Sequence, residues 1–119
     1  MTAETITGLR EVHALLKSLE SQDIHHPDVV RKAAELIVAR SLELVDVTEP
    51  EDAQQRLAFA VRDLKSAEKA ARRHRRNPLT RPFSRARFAF TTRSAEGWVG
   101  GVLKDLDGNP EGRTPGDAP

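Results

Sequence analysis

The strongest helical signature in the sequence lies between residues 48 and 76, which read TEPEDAQQRLAFAVRDLKSAEKAARRHRR. It opens with a capping box, in which the Thr48 hydroxyl and the Glu51 carboxylate accept hydrogen bonds from each other's backbone amides. Pro50 falls in the first turn, where a missing N–H removes no helical hydrogen bond. The pattern predicts one helix of about 28 residues, which is roughly 42 Å long.

Alanine and leucine residues repeat along this helix at alternating spacings of four and three residues. The repeat covers about two and a half heptads, which is too short to define a coiled coil. Its alanines allow another helix to approach closely, either within the core of a monomer or from a second copy of the chain. The predicted helix interface consists of Ala53, Leu57, Ala60, Leu64, Ala67 and Ala71.

Two shorter helices are predicted before residue 48. Leucine and valine at positions 9, 12, 16 and 19 define the apolar face of a helix over residues 7–20. Pro27 and Asp28 mark a second start, because proline suits the first helical position and an acid stabilises the positive end of the helix dipole. That helix is apolar over a wide arc and should end near Asp46. Because the connections are short, we expect a mainly α-helical, three-helix bundle with antiparallel neighbours.

The pattern changes after Pro78. The third helix should end near Arg76, because the residue before a proline disfavours the helical conformation. Residues 87–92, RFAFTT, alternate in the manner of a strand, and residues 98–103, WVGGVL, offer a return strand. Glycine, proline and acidic residues dominate the end of the chain, as is typical of disorder. The predicted organisation is a helical domain over residues 1–76, a basic extended arm or β-hairpin over residues 77–106, and a flexible, disordered tail over residues 107–119.

The composition excludes several classes of protein. The chain of 119 residues has no cysteine, which rules out a disulfide framework, a cysteine-based zinc site and thiol catalysis. No nucleotide-binding or serine-hydrolase motif occurs, and no two of the four histidines have the spacing of a helical metal site. We therefore expect no catalytic residue, metal, cofactor or small-molecule substrate, and no enzymatic activity. Aliphatic runs are short and the start lacks a signal-peptide profile, which predicts a cytoplasmic protein without a membrane span.

Charge is distributed unevenly along the chain, although the formal net charge is only +1. Residues 1–68 contain 8 bases and 13 acids, residues 69–95 contain 9 bases and no acid, and residues 96–119 contain 2 bases and 5 acids. Because arginine forms bidentate contacts with phosphate, the central segment is a candidate contact for nucleic acid. The candidate phosphate-binding residues are Arg72, Arg73, Arg75, Arg76, Arg81, Arg85, Arg87 and Arg93.

The sequence leaves three interpretations of this segment open: contact with DNA or RNA, contact with an acidic protein, and neutralisation by acids such as Glu43, Asp46 and Glu49. Its phenylalanines can stack on unpaired bases or belong to the core. The first hypothesis is a non-enzymatic, nucleic-acid-associated accessory protein whose helices oligomerise or dock. The alternative is an adaptor or assembly subunit of a larger complex, whose basic arm engages an acidic partner or extends a partner's sheet.

Overall fold

Four α-helices make up most of the chain in the computed structural model, which describes residues 3–45, 47 and 49–108. No strand occurs within these residues. Two short 3₁₀ turns, Ser21–His25 and Pro78–Thr80, lie in the connections between helices. The helices are α1 (Ala3–Ser18), α2 (Pro27–Ser41), α3 (Pro50–Arg76) and α4 (Arg81–Gly108).

The four helices form an antiparallel bundle in which chain neighbours are also neighbours in space. Helix α3 packs against α2 and α4, and α1 packs against the same two helices from the other side. Side-chain contacts fix the direction of the longest pair: Arg56 on α3 binds Asp105 late in α4, whereas Ser66 further along α3 accepts a hydrogen bond from Arg87 early in α4. The result is an up-and-down four-helix arrangement, and not the predicted three-helix bundle.

The sequence predicted the boundaries of α3 and the start of α2 correctly. Helix α2 begins with Pro27 in its first turn, and α3 runs from Pro50 to Arg76. Thr48, on which the predicted capping box depends, lies outside the described residues. Glu49, the residue immediately before α3, makes no capping hydrogen bond with its side chain. Three other limits were less accurate, because α1 begins and ends earlier than residues 7–20 and α2 ends at Ser41 instead of near residue 46.

The prediction of an extended arm or β-hairpin over residues 77–106 is wrong. Residues 81–108 form one continuous helix of 28 residues, and only a tight turn separates it from α3. In that turn the Asn77 side chain accepts a hydrogen bond from the Leu79 amide at 3.1 Å. The predicted tail over residues 107–119 also begins too early, because α4 includes residues 107 and 108; the remainder of the predicted tail lies outside the described residues.

Helix α4 buries a face on which hydroxyl and small side chains take the place of some apolar ones. The Thr91 hydroxyl donates a hydrogen bond to the Arg87 carbonyl at 2.7 Å, and the Thr92 hydroxyl donates one to the Phe88 carbonyl at 2.8 Å. Because these bonds satisfy the hydroxyls within the helix, both threonines can enter the core without a large desolvation cost. The buried positions recur at helical spacings of four and three residues: Ser84, Phe88, Thr91, Ala95, Val99 and Val102.

Gly100, which lies in the predicted return strand, marks a close contact between α4 and α1. A methyl group added at Gly100 would lie 2.8 Å from Nε2 of His13. That nitrogen lies 2.8 Å from Oε1 of Glu96, one turn earlier on α4. The missing side chain at residue 100 therefore makes room for a polar contact that joins the first helix to the last.

Candidate nucleic-acid interface

The segment without acidic residues, residues 69–95 (the acid-free segment), forms one end of the helical hairpin made by α3 and α4. Its first residues lie in the last two turns of α3, and the rest lie in the connecting turn and the first half of α4. Because α3 and α4 are antiparallel, the last turns of α3 lie beside the first turns of α4. Arg93 lies apart from the others, in a cleft beside α1 that also contains Lys17, Glu20 and Glu96. The structure thus brings seven of the eight predicted arginines to one end of the bundle.

One of these arginines is neutralised by carboxylates of the same chain. The Arg72 guanidinium donates to Oε2 of Glu68 from two nitrogens, at 2.8 and 3.1 Å, and lies 3.7 Å from Oδ1 of Asp28. Among the described residues, no other base of the acid-free segment forms an ion pair. Glu43, which the sequence offered as an internal counter-charge, pairs with Arg40 instead.

Three further arginines bind neutral oxygens, which holds their side chains but leaves their charge uncompensated. Arg81 donates to the His74 carbonyl at 3.2 Å, and Arg87 donates to the Ser66 hydroxyl at 3.3 Å. Arg75 reaches the His25 carbonyl at 3.5 Å. Guanidinium groups fixed in this way retain several free N–H donors, which suits them to an incoming phosphate.

A groove of about 420 Å³ between α3 and α4 collects three of the cations. Lys69 and Arg73 project from α3 and Arg87 from α4, and no acidic residue lines the groove. Two other clefts of similar size differ in this respect, because each combines basic with acidic side chains. Lys69 was absent from the predicted set, although its place in the acid-free segment, one turn before Arg73, was a visible signal. The groove residues are Ser66, Lys69, Ala70, Arg73, Thr80, Phe83, Ser84 and Arg87.

The three phenylalanines of α4 have different environments. Phe88 is 2% exposed and belongs to the core, whereas Phe83 and Phe90 are 76% and 72% exposed. In the predicted strand Phe88 and Phe90 would share a face. In a helix they lie on different faces, while Phe83 and Phe90 are two turns apart on the same face. The structure therefore separates one core ring from two surface rings.

His74 is a buried polar residue for which the sequence predicted no site. It is 3% exposed, its Nδ1 has no hydrogen-bond partner among the described residues, and its ring meets that of His25 edge-on at 5.6 Å. Burial, together with the positive charges of Arg81 and Arg85, lowers the pKa of His74 below its ordinary value. A signal was present, because residue 74 continues the four-and-three spacing of the α3 interface by one more step.

Acidification should therefore weaken the fold through His74. A histidine in the unfolded chain has a pKa of about 6.5. Since the folded value is lower, the unfolded state binds the proton first, and stability falls as the pH decreases below about 6.5. We expect His74→Leu to lose less free energy of unfolding than the wild type between pH 7.5 and pH 5.0, as measured by urea denaturation. The control His26→Gln, which alters an exposed histidine, should lose as much free energy of unfolding over this pH range as the wild type. An equally large loss in His74→Leu would contradict the role of His74 in acid destabilisation.

The predicted helix interface on α3 lies inside the protein's own core. Its six residues are all at most 5% exposed and pack within a single cluster formed by all four helices. Helix α4 packs along α3 more extensively than α2 does. In this conformation the interface surface is occupied within one chain.

Comparisons with known proteins assign no family to the chain. No model of a protein family matches it, and no curated protein or solved structure is significantly similar to it. Among the described residues, no group of three or more metal-ligating side chains lies together, and none of their helices is long and apolar enough to cross a membrane. Fold and surface together define a four-helix protein with an uncompensated basic groove between its two longest helices.

Proposed function

We propose that this protein is a non-enzymatic, nucleic-acid-associated accessory protein whose arginine-rich surface contacts the phosphates of DNA or RNA. The observation that carries the proposal is the lack of internal counter-charge: within the described residues, only Arg72 of the nine bases in residues 69–95 pairs with a carboxylate. Phosphate contacts of this kind supply most of the affinity for nucleic acid and carry no sequence information. We therefore expect binding with little sequence preference.

The end of the bundle opposite the basic groove also exposes apolar side chains. Leu42 and Val45, which follow α2, are large apolar side chains that remain exposed. They lie near the start of α3, where Gln54 donates to the carbonyls of Ser41 and Leu44. The basic groove lies toward the other end of the same helix, about 20–30 Å away along its axis. An exposed apolar end supports docking or self-association of the helices while the basic end holds nucleic acid.

The same apolar end favours the second candidate, an adaptor or assembly subunit that binds an acidic protein. Light scattering of the purified protein should then show a defined oligomer, or a stoichiometric partner should copurify. The absorbance ratio at 260 and 280 nm after low-salt purification separates the two candidates cheaply. Because the chain has one tryptophan and no tyrosine, even slight carry-over of nucleic acid is visible in that ratio.

The direct test removes four arginines of the basic surface at once: Arg73, Arg76, Arg85 and Arg87, each to alanine. We expect affinity for a labelled oligonucleotide, followed by fluorescence anisotropy, to fall on the order of 100-fold at 0.1 M salt. The slope of log affinity against log salt concentration should shrink by about 3–4, since each phosphate contact contributes about 0.7 on a single strand and about 0.9 on a duplex.

A matched variant controls for the loss of net charge. It replaces four exposed bases outside the segment, Lys17, Arg31, Lys32 and Lys104, by alanine. This control should change affinity by less than about 3-fold at the same salt concentration, because bases outside the contact surface act only through screened long-range attraction. Unchanged binding in the arginine variant, or equal losses in both variants, would contradict the proposed function.

A further inference from the structure

Two exposed phenylalanine rings lie on the same face of α4 as a cation of the groove. Phe83 and Phe90 are seven residues apart, which places them about 10.5 Å apart along the helix axis. Arg87 lies between them, one turn from each, and also lines the α3–α4 groove. Phe83 itself lines that groove, so an aromatic face and three positive charges border the same space.

The cations of the groove and the exposed rings beside it favour a ligand that has both an anionic and an aromatic part. The cations and the absence of acids fit an anionic group, and the exposed rings fit a flat, apolar partner. Ser84 at the same groove is 3% exposed, and its hydroxyl has no hydrogen-bond partner among the described residues. An unsatisfied donor beside three cations is a further feature that favours an anion as occupant.

A single-stranded nucleic acid offers both groups at short intervals, because each nucleotide carries one phosphate and one base whose faces are free for stacking. A duplex offers only the phosphates, since its bases are already stacked on each other and expose only their edges. An acidic peptide supplies negative charge without a repeated aromatic face. The paired arrangement of groove and rings therefore distinguishes the single strand from the other polyanions.

We propose that the α3–α4 groove binds a phosphate of single-stranded DNA or RNA and that Phe83 and Phe90 stack on its unpaired bases. Within this groove, Lys69, Arg73 and Arg87 are the phosphate contacts. This inference rests on the proposed nucleic-acid function and adds the class of strand to it.

The test compares the full chain with the variant Phe83→Ala/Phe90→Ala on two labelled probes, a 20-nucleotide oligo(dT) and a 20-base-pair duplex. Stacking contributes about 1–3 kcal/mol per base, so we expect the variant to lose at least about 30-fold in affinity for oligo(dT). Affinity for the duplex should change by less than about 3-fold. The salt dependence on oligo(dT) should keep its slope, because no cation is removed.

A second apolar variant, Leu36→Ala/Val38→Ala, serves as the matched control, because these exposed side chains lie on α2, away from the groove. It should leave both affinities unchanged, and circular dichroism should show that both variants keep their helix content. Two outcomes would overturn the single-strand inference while the nucleic-acid function stands. In one, Phe83→Ala/Phe90→Ala binds oligo(dT) as tightly as the wild type does. In the other, the variant loses the same factor in affinity for oligo(dT) and for the duplex. If the wild type binds neither probe at low salt, the proposed function itself fails.

Discussion

Replacing Phe88 by alanine is expected to lower the free energy of unfolding by about 3–5 kcal/mol, because the ring is 2% exposed and its removal leaves a cavity in the core. A small domain has only about 5–15 kcal/mol of stability, so this variant should be unfolded or close to it at 37 °C. The same change two residues later, Phe90→Ala, should alter stability by less than about 0.5 kcal/mol, because that ring is 72% exposed.

This pair of variants also tests the secondary structure of α4. Side chains at residues i and i+2 share a face in a strand but lie about 200° apart in a helix. Similar losses in Phe88→Ala and Phe90→Ala, measured by urea denaturation at neutral pH, would contradict the helix and favour the strand that the local sequence suggests. A large loss confined to Phe88 is what the helix requires.

Enlarging the α3 interface is expected to be nearly as damaging. Ala60 and Ala67 are fully buried, so the variant Ala60→Leu/Ala67→Leu forces extra carbon atoms into a filled core. Each change should cost about 1–3 kcal/mol. The two sites are two turns, or about 10.5 Å, apart, so their costs should add to about 2–6 kcal/mol.

The control for this prediction is Ala39→Leu/Ala58→Leu, which adds the same atoms at two exposed alanines of α2 and α3. It should leave the midpoint of urea denaturation nearly unchanged. Light scattering on the core variant supplies a second measurement. If Ala60→Leu/Ala67→Leu stays fully stable but changes its oligomeric state, the α3 interface serves association between chains and not the core of one chain.

The longest predicted helix was accurate because its signals are local. Pro50 and Pro78 limit α3 through backbone geometry alone, and the regular spacing from Ala53 to Ala71 describes one buried face without reference to any partner. The acid-free segment was equally visible, because charge composition can be counted along the chain. These features required no knowledge of what packs against them.

Helix α4 was missed because its local signals favour a different structure. The alternation around Phe88 and Phe90 and the adjacent β-branched residues Thr91 and Thr92 indicate a strand, whereas Gly100 weakens the predicted return strand. In the fold each has another cause: one ring is buried and one is exposed, the threonines bond to their own helix, and the glycine admits His13. Tertiary contacts outweighed local propensity here, since a weakly patterned helix gains stability by covering α3.

The sequence likewise predicted only part of the candidate site. The sequence located the arginines, and its i,i+4 spacing indicated the Glu68–Arg72 ion pair. It did not show that Asp28 also approaches Arg72, or that Arg73 and Arg87 border a groove without acids. It left all the phenylalanines open as stacking or core residues, and only the helical register separates Phe88 from Phe83 and Phe90.

The amino-acid sequence by itself determined that the protein is mainly helical, that α3 runs from Pro50 to Arg76, and that positive charge is concentrated in residues 69–95. Those properties depend on neighbouring residues and on composition. The tertiary structure decided that residues 81–108 are a fourth helix, which side chains face the core, and which charges remain uncompensated. Those properties depend on contacts between residues far apart in the chain, whose energies exceed the small preferences of any short segment.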